Sequence, residues 1–237
     1  MTAPQNNFPV EAEKYLQSAE YVDSSAPDVQ AFVEAALVEL PSAASPKDKA
    51  IRLFEAVRDN IRYDPYSISL EPDAYRASAI VKEETAYCVP KAILLTASLR
   101  AAGIPAALGF ADVRNHLNTP KLAEMMGSDL FIYHGYVQLW LGAESFKITP
   151  AFNMELCERF GVKPLIFDGT KDALFHEYDE RDRQHMEYVN DRGLFIDAPI
   201  ETFLSDFKAA YPGMVAFANR NKAKRARIKD AFTSPDG

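Results

Sequence analysis

The chain has 237 residues, is 48% hydrophobic and 25% charged, and carries a net charge of −8. This composition supports a folded core and argues against nucleic acid as a general partner. Its two cysteines, Cys88 and Cys157, make no disulfide scaffold; no apolar run is long enough to span a bilayer, and no charged-then-apolar leader pattern opens the chain. The expected setting is therefore a reducing cytoplasm without a membrane partner, and the expected targets are peptides or small molecules.

Residues 1–10 carry Pro4, Asn6, Asn7 and Pro9 and read as an irregular lead, followed by a short helix over Glu11–Ser18. The spacing of Phe32, Ala35, Ala36 and Leu40 predicts a helix over Val29–Leu40, closed by Pro41. Ser45-Pro46-Lys47-Asp48 has the form of a cap with proline in the first turn, and Ala50, Phe54, Val57 and Ile61 form the apolar stripe of the helix behind it. Tyr66–Glu84 has no clean period and reads as loop, with a helical turn near Ala77–Lys82. Ala106–Ala111 reads as a buried strand. The connection Asp112–Asp129 holds a short helix, Lys121–Met126, stopped by Gly127. Phe131–Leu141 alternates as a strand, with His134, Tyr136, Gln138 and Trp140 on one face and Tyr133, Val137, Leu139 and Leu141 on the other. Gly142-Ala143-Glu144 turns it into a second strand, Ser145–Thr149, and the hairpin brings Thr149 towards His134. A helix over Met154–Phe160, strands over Pro164–Phe167 and Leu194–Ile196, and an amphipathic helix over Ile200–Ala210 follow. Thr170–Arg192 is a polar segment of mixed charge, and Arg220–Lys229 is a basic run read as a solvated tail.

The chemistry points to Cys88. Pro90 suits a first helical turn, where its missing N–H costs nothing. The run from Ala92 to Ala102 is apolar nearly all round and implies a helix buried on most sides, ending at Gly103 and Pro105. Cys88 thus sits at the start of a buried helix, where unpaired N–H groups and the helix dipole ease ionisation of a thiol. On its own such a cysteine is more often packing than nucleophile.

Three stretches resemble the transglutaminase-like superfamily of papain-like cysteine enzymes, in its bacterial form. They are AVRDNIRYDP (Ala56–Pro65), YCVPKAILLTASLRAAGIPA (Tyr87–Ala106) and HGYVQLWLGAESFKITPAFN (His134–Asn153). The resemblance implies an α+β papain-like fold, with the cysteine helix packed on an antiparallel sheet. It divides the chain into a helical extension (1–44), a catalytic core (45–153) and a C-terminal extension (154–237) whose basic tail starts at about 220. It implies Cys88 as nucleophile, His134 as general base and Thr149 at the third site, where the family usually has an aspartate before proline. A threonine hydroxyl accepts a hydrogen bond but cannot support an imidazolium as a carboxylate does. Asn153 is a second candidate for orienting His134, with Asp112 and Asp129 behind it.

The implied activity is cysteine-dependent acyl transfer on amides or peptides, with no cofactor and no metal. The alternative is a non-catalytic binding module that keeps the cleft. His176, Glu177, Asp179, Glu180, Asp182 and His185 fit no standard metal motif, since the two histidines are nine residues apart. Cys157 reads as core; Tyr87, Tyr133, Tyr136 and Trp140 are candidates to line a substrate cleft, although aromatic residues on such strands are more often core. Oligomeric state is left open.

Overall fold

The computed structural model describes residues 8–115, 119–174 and 186–221. A 3-10 turn at Val10–Leu16 leads to α1 (Pro27–Leu37) and α2 (Pro46–Asn60), each with proline in its first turn. At the start of α2 the expected cap forms in full: Ser45 Oγ accepts from Asp48 N–H, and the Asp48 carboxylate accepts from Ser45 N–H. Then follow β1 (Arg62–Tyr63), α3 (Ala77–Ile80), β2 (Thr85–Ala86) and α4 (Cys88–Ala101). Next come β3 (Ala106–Asn115), α5 (Pro120–Met126), β4 (Leu130–Leu141), β5 (Glu144–Ile148), α6 (Met154–Phe160), β6 (Met186–Phe195) and α7 (Ile200–Ala210).

The architecture is the expected α+β one. Every residue of α4 from Val89 to Arg100 is buried, as a helix apolar on all sides must be. α1, α2, α3 and the strands β3 and β4 all pack against it. The main sheet runs β5-β4-β3-β6, antiparallel throughout, and β1 and β2 form a separate two-residue parallel pair. One apolar cluster extends from Val22 to Met214, so α7 and the segment after it join the same core as α4. Phe203 of α7 packs edge-on against Tyr75 and Tyr133. On the far side of β4, Trp140 stacks on Tyr15, with centroids 5.2 Å apart.

Two parts differ from the sequence reading. Residues 164–167 form no strand; Leu165 and Phe167 are buried from an irregular path, and the Leu165 carbonyl accepts from Arg58. The strand expected at Leu194–Ile196 is much longer, because β6 begins at Met186 and pairs with β3 along an edge whose outer residues are exposed. Residues 175–185, with His176 and His185, and residues 222–229 of the basic run lie outside the described residues. No described helix is long and apolar enough to cross a membrane.

Asp197, just before α7, ties the two ends of this core together. Its carboxylate accepts from the N–H groups of Glu20, Tyr21, Val22 and Ala198, at 2.9–3.2 Å. The segment 20–22 has no sheet or helix partner for these donors, so an ionised acceptor is worth more here than an ordinary hydrogen bond. Asp197→Ala is expected to lower unfolding free energy by about 2 kcal/mol or more; urea unfolding followed by circular dichroism measures it.

Candidate active site

Cys88 is the first residue of α4, and Tyr87 before it is extended (φ −97°, ψ −173°). The backbone N–H groups of Gly135 on β4, of Val89 and of Cys88 itself lie near enough to the sulfur to favour its ionised form. These donors and the helix start favour a thiolate, yet burial outweighs them and pushes the thiol up to about 11. Eased ionisation, expected from helix position alone, is therefore reversed by the surroundings of the sulfur.

Cys88 and His134 line one cavity of about 50 Å³, walled also by Tyr63, Phe131, Ile132 and Met214. His134 is 6% exposed, and burial pushes its imidazole down to about 4. Thiol and imidazole are thus both uncharged at neutral pH.

The strand that carries His134 is not regular. Ala111 pairs with His134 and Val113 with Phe131, so Ile132 and Tyr133 together oppose Asp112 in a β-bulge. Tyr133 adopts φ 56°, a left-handed conformation rare for a bulky residue. Three contacts hold it there. Its N–H donates to Asp112 Oδ1, its hydroxyl donates to Asp206, and the Arg192 guanidinium lies 3.9 Å from its ring centroid. The bulge interrupts the expected alternation immediately before His134.

Gly135 follows. A Cβ built on it meets the Cys88 carbonyl oxygen and the Ala92 Cβ at 3.0 Å, and the Val89 Cα at 3.1 Å. Only glycine allows β4 to lie this close to the first turn of α4 and its N–H to reach the Cys88 sulfur. Sequence reading passed over this residue; its position next to the histidine of a strand was the available signal.

The candidates for the third site are placed as follows. Thr149 is buried just past β5, its N–H donates to Ala173, and its Oγ1 has no hydrogen-bond partner among the described residues. Asn153 Oδ1 accepts from the Tyr63 N–H at 3.1 Å and so positions a residue of the cavity wall. Asp112 is engaged by Tyr133, Asn190 and Arg192, and Asp129 pairs with Arg114 at the surface. Cys157 is buried in α6, as read from the sequence.

Two further residues escaped the sequence reading. Tyr63 borders Cys88, fixed by Asn153, by the β1–β2 pairing and by an edge-on contact with Phe152 at 4.7 Å. Lys91 lies one turn beyond Cys88 and is completely buried; its Nζ donates to the carbonyls of Arg58, at 2.8 Å, and of Ile61. Burial pushes its pKa down to about 7, against the nearby Asp59. A single lysine inside an apolar run was the signal. It ties the end of α2, and through it Tyr63, to the helix of Cys88. Among the described residues no group of three or more His, Cys, Asp or Glu side chains is placed to hold a metal.

Residues 35–148 match the family model of the transglutaminase-like superfamily, which bears out the resemblance read from the sequence and the fold that it implied. No curated protein matches. Among solved structures, a candidate cysteine protease from Cytophaga hutchinsonii is similar at 14% identity and a TM-score of 0.46, over 82% of this chain and 57% of that one. A candidate protease from Parabacteroides distasonis is similar at 18% identity and a TM-score of 0.36, over 58% of this chain and 25% of that one.

Gly135→Ala is expected to cost about 1–3 kcal/mol of stability, because the added carbon meets backbone and a short side chain that cannot swing away. A shift of β4 from Cys88 should also slow covalent reaction at the thiol by about tenfold or more. Melting curves and acylation rates of the same preparation separate the two effects. In the wild type, the rate of Cys88 alkylation by iodoacetamide is expected to keep rising above pH 9, since the thiolate is the reactive form and its pKa is pushed up to about 11. Peptide mapping by mass spectrometry distinguishes Cys88 from Cys157.

Proposed function

We propose that the protein is a cysteine-dependent acyl enzyme acting on amide or peptide bonds through a thioester. The observation that carries this reading is the shared cavity of Cys88 and His134, with the Gly135 N–H on the sulfur. Because both groups rest uncharged, His134 takes the thiol proton as sulfur attacks the carbonyl carbon. The Cys88 N–H, at the helix start, stabilises the oxyanion. Collapse of the tetrahedral intermediate breaks the C–N bond, and His134 returns the proton to the leaving amine. Water or a second amine then attacks the thioester, gives its proton to His134, and releases the acyl product as the proton returns to sulfur. Water makes the enzyme a peptidase or amidase; an amine makes it a transferase or cyclase.

Thr149 fills the third position without a carboxylate, and the proposed chemistry rests on the pair. One observation favours the second reading, a binding module that keeps the cleft: the Thr149 hydroxyl is buried without a hydrogen-bond partner among the described residues, and burial holds His134 neutral. The two readings separate on incubation with a peptide pool. An acyl enzyme gives a mass adduct on Cys88 that is lost in Cys88→Ser, whereas a binding module gives none.

His134→Ala should lower the acylation rate by about 10²–10⁴. Thr149→Val keeps shape and removes the hydroxyl. With that hydroxyl unpaired in the resting structure, the rate is expected to stay within about threefold of wild type and the melting temperature to hold or rise. Single-turnover acylation measures both variants; a large loss in Thr149→Val would place the hydroxyl on the histidine during the reaction.

A further inference from the structure

The cavity shared by Cys88 and His134 is about 50 Å³. That space holds a few waters, not an acyl group with its neighbours, for which ligand sites provide several hundred. A thioester forms there only if a wall moves, and most walls are fixed. α4 is sealed from Val89 to Arg100, and β4 is paired on both sides. Tyr63 is held by the β1–β2 pairing and by Asn153. α5 is capped at both ends, by Thr119 and by the left-handed Gly127, and α7 sends in Phe203 and Phe207 from the main core. Met214 remains. It stands on a further helix, α8, over residues 212–221.

α8 is the least tied of these elements. Tyr211 leaves the helical conformation (φ −129°, ψ 64°), and Pro212 starts the chain afresh. The Tyr211 hydroxyl pins this joint: it donates to the Leu130 carbonyl at 2.6 Å and accepts from the Ile132 N–H at 2.8 Å. Beyond the joint α8 is held by a narrow stripe. Met214 and Ala218 are buried, Val215 and Phe217 half-buried, and its other residues exposed. Phe217 leans on the Tyr66 ring, with centroids 5.7 Å apart. Among the described residues, no side chain of 212–221 makes a hydrogen bond or ion pair to the body. One face of α8 covers two cavities. Met214 lines the small one, and Ala218, a turn further on, lines a second of about 450 Å³. Ile68 and Tyr87 line both, so α8 lies across what is a single cleft without it.

We propose that α8 is an autoinhibitory strap seated in the substrate cleft of the acyl enzyme, and that Met214 holds the place of an uncharged, unbranched side chain next to the carbonyl attacked by Cys88. The inference rests on Cys88 being the nucleophile. Pro65, Leu122, Phe131, Ile132 and Phe207 share the cavity of Met214, so its walls are apolar. A charged side chain there loses water and finds no partner, whereas a straight apolar one replaces methionine like for like. Lifting α8 about the Tyr211 joint opens the two cavities into one cleft for an extended chain. The rate of reaction with a large substrate then scales with the fraction of molecules in which α8 is lifted.

Gly213 offers a lever away from the chemistry. A Cβ there runs into the Met125 carbonyl of α5, so Gly213→Ala wedges α8 off α5 and leaves every apolar side chain in place. Phe217→Ala, which frees α8 from Tyr66, serves as a second variant, and circular dichroism with melting curves checks the fold of both. Three probes are applied to the full chain: iodoacetamide, which is small, and the chloromethyl ketones of acetyl-norleucine and acetyl-glutamate, which are not. In each case the Cys88 sulfur displaces halide from a methylene carbon to form a thioether, and the thiol proton leaves with the halide as acid. Peptide mapping by mass spectrometry reads the label on Cys88. The ratio of the norleucyl rate to the iodoacetamide rate is expected to rise about tenfold in either variant. In the loosened variants the norleucyl probe is expected to outpace the glutamyl probe about tenfold. An unchanged ratio in both folded variants would overturn the strap and leave the nucleophile standing. Equal norleucyl and glutamyl rates in Gly213→Ala would overturn the apolar subsite. Failure of every probe to modify Cys88 in folded protein would overturn the nucleophile, and the strap with it.

Discussion

The site depends on how closely a strand approaches the first turn of a helix. A Cβ at Gly135 would crowd the backbone of Cys88 and Val89 at 3.0–3.1 Å, tight enough that β4 or α4 would have to give. That contact brings a backbone N–H towards the sulfur and sets the preceding residue, His134, in the cavity of the thiol. Lys91 fixes the same helix to α2 by its two carbonyl contacts. Cys88 is therefore held between a strand packed tightly against it and a helix end that cannot leave without unpairing a buried lysine.

Once placed there, the sulfur is governed by its apolar surroundings more than by the helix dipole. Dipole and N–H donors stabilise charge by amounts of order 1 kcal/mol each, whereas loss of water around an ion costs several. The same burial keeps His134 neutral. At rest, thiol and imidazole are consequently both neutral.

The elements legible in the sequence were those with length or punctuation. α7 has a clean apolar stripe, α2 has a capping box, and β4 and β5 are joined by a glycine turn, so periodicity and turn chemistry agree. β1 and β2 are two residues each, too short for any period, yet their pairing fixes Tyr63. β6 was hidden because an edge strand with exposed residues lacks the apolar alternation that marks a strand. That Cys88 and His134 come to one cavity follows the expectation drawn from the resemblance in residue type, order and spacing. Lys91 and Tyr133 were not legible, since a buried lysine contradicts composition rules and a left-handed tyrosine contradicts propensity. Each exists only because tertiary partners satisfy it. Asn153 was legible as an amide near the site, while its partner, the Tyr63 N–H, could be seen only after folding.

The order β5-β4-β3-β6 puts the histidine strand inside the sheet, with a paired neighbour on each side. Local opening starts at edges and ends, so β5 and β6 can fray while β4 keeps both ladders. The thiol helix is likewise sealed from Val89 to Arg100. The distance between Cys88 and His134 is thus insulated from partial unfolding. Amide exchange at β4 should belong to the slowest class, released with the whole molecule, and heat should part Cys88 from His134 and open the core together rather than in sequence.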